Sequence, residues 1–81
     1  MQWSQFIQVV EAQEKPISII KLHPETLKVL QNDSGSSFSQ PHPSVAIQYK
    51  GAACWLDNQL AVDELRLVFN DGSKTQVIKV G

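Results

Sequence analysis

The stretch from Leu65 to Val80, LRLVFNDGSKTQVIKV, constrains this chain more than any other. Two runs rich in β-branched and aromatic residues flank Asn70-Asp71-Gly72, and such a cluster between strand-formers marks a sharp reversal. A two-residue loop at Asp71-Gly72 would set Leu67 against Gln76 and Phe69 against Lys74, mixing polarities. A three-residue loop, with Gly72 left-handed in a bulge, sets Leu65 against Val77 and Leu67 against Thr75. It also puts Arg66 opposite Gln76 and Val68 opposite Lys74 on the other face. That register separates apolar from polar, so the sequence predicts the bulged turn. A β-branched residue at 72 would resist the positive φ required there.

Upstream, Trp3, Phe6, Ile7 and Val10 fall at helical spacing, while Gln5, Gln8 and Glu11 point elsewhere. This predicts an amphipathic helix of about three turns, ended by Pro16, although no good N-cap precedes Trp3. Ile17–Leu22 is short and β-branched, a strand. Residues 24–31 read two ways. Pro24 suits the first position of a short helix with Glu25 at its positive end. Alternatively His23-Pro24-Glu25-Thr26 is a type I turn, pairing Leu22 with Leu27 and Ile20 with Val29. The matched polarity favours the hairpin, at the expense of setting Lys21 against Lys28.

Residues 32–44, NDSGSSFSQPHPS, hold five serines, one glycine and two prolines, a long loop for a chain of 81 residues. Phe38 is its one large apolar side chain. A lone aromatic in such a loop either caps the core or anchors a partner. Pro41-His42-Pro43 is stiff and extended. Phe38 and His42 are therefore the candidate partner-binding residues. Val45, Ile47 and Tyr49 alternate with polar positions as a strand, broken or bulged at Gly51, and Ala52–Leu56 forms the next.

The sum of these readings is an α+β fold. One N-terminal amphipathic helix packs on an antiparallel sheet of about five or six strands that ends in a C-terminal β-hairpin. The whole of residues 1–81 reads as a single small domain. The expected core is Phe6, Ile7, Val10, Ile19, Leu22, Ile47, Trp55, Leu65, Leu67 and Phe69.

Size and composition limit function. A chain of 81 residues, 42% hydrophobic, has one modest core and little volume for a ligand cavity of roughly 300–1,000 Å³. Seven Lys and Arg against eight Asp and Glu give a net charge of -1, without the basic stripe that phosphate contacts demand. Nucleic acid is therefore an unlikely partner. No apolar run approaches the ~20 residues of a membrane span, and the opening MQWSQFIQVVEAQ has no secretory pattern. With Cys54 as the one cysteine, a cytoplasmic setting is expected.

Chemistry-bearing motifs are sparse. Cys54 lies in an apolar run, which favours a buried, inert thiol over a nucleophile. His23, His42 and Cys54 are 19 and 12 residues apart, without the close pairs of a zinc site. Asp57, Asp63 and Glu64 lie in a polar connection, and no phosphate-cradling glycine pattern occurs. No catalytic residue, cofactor or metal is expected. The leading expectation is a small cytoplasmic, non-catalytic protein-interaction module, an adaptor, regulator or inhibitor of a larger protein, with homodimerisation a further expectation. The alternative is a small-ligand-binding or enzyme-accessory domain; a nucleic-acid-associated protein is the third.

Overall fold

A computed structural model describes residues 1–80. The elements are α1 (Trp3–Glu11), β1 (Ile17–Leu22), α2 (Pro24–Gln31), β2 (Gln48–Tyr49), β3 (Ala52–Leu56), β4 (Glu64–Phe69) and β5 (Ile78–Lys79). The strands form one sheet in the order β2-β3-β1-β4-β5. The α+β class and the five-strand count match the sequence expectation. The sheet is mixed, however: β1 runs parallel to β3 and antiparallel to β4, and the two outer pairs are antiparallel.

The second correction concerns residues 24–31, which are helical and do not form a hairpin with β1. Local chemistry explains the outcome. Pro24 occupies the first turn, where its missing N–H costs nothing. The His23 Nδ1 accepts the Glu25 N–H at 3.0 Å, capping the helix. Glu25 then lies 3.7 Å from Lys28 one turn on, so Lys28 gains a carboxylate in place of a repulsive Lys21. Thr26, Leu27 and Leu30 fall on one side and are buried. At α1, the sequence offers no ordinary cap, yet Gln5 Oε1 accepts the Gln2 N–H at 2.8 Å. Trp3, Phe6 and Val10 are its buried positions.

Both helices bury their apolar sides in one core with Ile20, Leu22, Ala52, Cys54, Leu65, Leu67 and Val80. They therefore cover one face of the sheet. The expected core residues Phe6, Val10, Leu22, Leu65 and Leu67 are buried. Ile7, Ile47 and Phe69 are half-buried against the core. Ile19 is half-buried too, but alternation along β1 points it away from Ile20 and the helices. Trp55 departs fully from the expectation, being 50% exposed. Its neighbours Cys54 and Ala52 take the core face of β3, which leaves Trp55 on the other.

Two reversals show why particular residues stand where they do. At the β2–β3 hairpin both Lys50 (φ 48°) and Gly51 (φ 86°) are left-handed, the mirror-image turn that matches strand twist. In the C-terminal hairpin Gly72 has φ 87°, and its N–H bonds Phe69 O at 3.0 Å while Phe69 N–H bonds Ser73 O at 2.8 Å. Val68 opposes Lys74 as expected. Farther out the register slips by one residue, so Leu65 faces Ile78, not Val77. The slip puts Ile78 and Val80 on the helix side of the sheet, where they join the core.

Candidate functional site

The loop that carries the sequence candidates is anchored on the core. The ring of Phe38 lies 5.1 Å from Trp3, 5.9 Å from Phe6 and 6.3 Å from Tyr49, centroid to centroid. Trp3, Phe6 and Tyr49 are themselves within 5.5 Å of one another. Edge-to-face and tilted contacts of this kind add to the burial of each ring. Phe38 thus caps the core, one of the two readings of a lone loop aromatic. Ser39 extends the attachment by exchanging hydrogen bonds with Gln48, at 2.8 and 2.7 Å, along the outer edge of β2.

His42 is exposed, and its Nδ1 is occupied locally by the Ser44 hydroxyl (2.7 Å) and the Ser44 N–H (3.2 Å). The structure does not bring His42 and Phe38 together as one surface, since the first stays in solvent and the second turns inward. Near the core, Glu11 Oε1 accepts from the Tyr49 hydroxyl at 2.7 Å and from Lys50 Nζ at 2.8 Å. Lys50 and then Tyr49 hold the Glu11 carboxyl below the usual range, and burial pushes the Tyr49 hydroxyl up, with Glu11 adding to it. This group ties the end of α1 to the β2–β3 turn.

Cys54 is buried, and burial pushes its thiol up to about 12. A thiol so raised is overwhelmingly protonated at neutral pH and a poor nucleophile. Among the described residues there is no enclosed pocket, and no group of three His, Cys, Asp or Glu side chains is placed to hold a metal.

The side of the sheet without helices is different. Strand alternation brings Trp55, Lys21 and Arg66 to it as direct cross-strand neighbours on β3, β1 and β4. Neighbouring strands are about 4.8 Å apart, so the row spans about 10 Å. The next row holds Ala53, Ile19, Val68 and Lys74. Four of the chain's cations form ion pairs: Lys15 with Asp71, Lys28 with Glu25, Lys50 with Glu11 and Lys79 with Asp63. The other three, Lys21, Arg66 and Lys74, have no carboxylate partner among the described residues, and all three rise from this face. Arg66 is oriented by its Nε, which donates to Thr75 O at 3.2 Å. Sequence reading placed Trp55 in the core because its neighbours are apolar. The available signal was phase: Ala52 and Cys54 share one parity, Ala53 and Trp55 the other.

In comparison with known proteins, the chain matches no family model, no curated protein and no solved structure. The functional reading therefore rests on the molecule's own geometry. No helix among the described residues is long and apolar enough to cross a membrane.

Proposed function

We propose that the chain is a small non-catalytic module that binds another protein through the helix-free face of its sheet. The observation that carries the reading is Trp55, 50% exposed beside Lys21 and Arg66 on a face that no helix covers. Tryptophan and arginine dominate binding energy at protein interfaces, because a large flat side chain gains much on desolvation. Leaving an indole in water has no folding benefit. The buried, protonated thiol of Cys54 supports a role in contact and not in covalent chemistry.

Photo-crosslinking tests the proposal. Replacing Trp55 with p-benzoylphenylalanine should give one dominant covalent adduct to a protein in extract of the native source. The same group at Ser4, exposed on α1 on the opposite side of the sheet, should give none. Adducts of equal yield at both positions, or none at position 55, would remove the proposal.

A further inference from the structure

We infer that Asp71-Gly72 is the chain's site of spontaneous aspartate isomerisation, and that Lys15, Pro16 and Ser73 hold the native turn out of that reaction. This modification is independent of what the protein binds.

The chemistry begins in the sequence. Of the aspartates Asp33, Asp57, Asp63 and Asp71, the last alone precedes a glycine. In an open chain the Gly72 main-chain nitrogen can reach the Asp71 side-chain carbon Cγ, because residue 72 has no Cβ to hinder the approach. A C–N bond forms as the protonated carboxyl gives up its hydroxyl, which departs as water with the amide proton. Water then opens the five-membered imide at either carbonyl. Opening at the main-chain carbonyl leaves Gly72 joined to the side-chain carbon. The product is isoaspartate, with no net change in composition.

The native turn opposes each part of this reaction. The nucleophile is engaged, since Gly72 N–H donates to Phe69 O at 3.0 Å. The carboxylate is held toward other donors. Asp71 Oδ1 accepts from the Ser73 hydroxyl at 2.6 Å and from its N–H at 2.9 Å, and Oδ2 pairs with Lys15 at 3.2 Å. These partners favour the ionised form, which has no hydroxyl to give up.

The turn is also fastened from outside. Asn70 N–H donates to Pro16 O at 3.0 Å, and Lys15 Nζ stands 5.6 Å from the centre of the Phe69 ring. Residues 15 and 16, just before β1, thus clamp the loop across more than fifty residues of chain. Isomerisation must wait for local opening. Once formed, isoaspartate places an extra main-chain carbon between Phe69 and Ser73. The pairing of Phe69 N–H with Ser73 O at 2.8 Å, and of Val68 with Lys74 beyond it, then no longer fits the loop.

Timed peptide mapping of the full chain at pH 5 and 37 °C tests this. A protease that cuts before aspartate but not before isoaspartate, read by mass spectrometry, locates the product. In guanidinium chloride isoaspartate should appear first at position 71. In sodium chloride of equal concentration, where the chain is native, it should form slower by on the order of tenfold or more. The double variant Lys15→Ala, Ser73→Ala, with a native-like amide spectrum, should raise the native rate about threefold. Thr26→Val weakens the core but leaves the turn contacts intact, so it should leave that rate unchanged. Equal rates in the native and denatured chains, or earlier product at another aspartate, would overturn the inference. So would an unchanged rate in the double variant, or a rise in Thr26→Val that matches it.

Discussion

The hydroxyl of Thr26 donates to the carbonyl oxygen of Val62 at 2.8 Å, joining α2 to the connection before β4 across 36 residues of chain. Thr26 is 2% exposed, the one buried polar residue among those described. Thr26→Val keeps the shape and removes the donor, leaving the carbonyl to find another partner. The expected loss is about 1–2 kcal/mol, and Thr26→Ser should recover part of it. Denaturant unfolding of the three proteins measures both; an unchanged midpoint for Thr26→Val would show that the bond contributes nothing.

Phe38 and Trp55 should behave as opposites. Phe38 is packed among Trp3, Phe6 and Tyr49, so Phe38→Ala should cost about 2–3 kcal/mol, less than for a fully buried ring. Trp55→Ala should change stability by less than about 1 kcal/mol while abolishing partner capture. Iodide quenching gives an independent check. The wild type should be strongly quenched, and Trp55→Phe, which leaves only the buried Trp3, should be nearly resistant.

Asp71 gives the fold a pH dependence of known sign. Its carboxylate accepts from the Ser73 hydroxyl (2.6 Å) and N–H (2.9 Å) and pairs with Lys15 at 3.2 Å. These partners, Ser73 first and Lys15 after it, lower its pKa to about 2. A pKa depressed on folding adds stability that is fully present above the unfolded value, about 3.9, and is lost as pH falls toward 2. Thermal midpoints should decline between pH 4 and pH 2 less steeply in Asp71→Asn than in the wild type. Parallel slopes would show that the carboxylate is unlinked to folding.

Burial of Cys54 predicts slow modification. With the thiol pushed up to about 12, a disulfide reagent at pH 8 should label the native chain on the order of a hundredfold slower than the unfolded chain, because reaction waits for opening. Labelling at the unfolded rate would place the thiol in solvent.

Much of the fold was legible where local chemistry and pattern agree. Gly72 is the clearest case: turn residues, strand-formers and polarity all asked for a left-handed glycine, and the structure has one. Residues 24–31 misled because their polarity matches that of Ile17–Leu22 on folding back, whereas Pro24 and the His23 cap suit a helix; burial of Leu27 and Leu30 decides for the helix. The parallel pairing of β1 and β3 left no trace in either segment, since register between distant strands is set by the packed whole. The face around Trp55 was hidden for a related reason. An apolar neighbourhood in sequence says nothing about which side of a sheet a residue takes until the phase of the strand is fixed by its partners.

The placement of β1 between β3 and β4 has a kinetic consequence. Both its neighbours are recruited from far along the chain, while the turns at Lys50-Gly51 and Asn70–Gly72 close over a few residues each. The two outer hairpins can therefore form within microseconds as independent seeds. Insertion of the middle strand between them must overcome the larger loop-closure entropy, and topology predicts it as the slow step of folding.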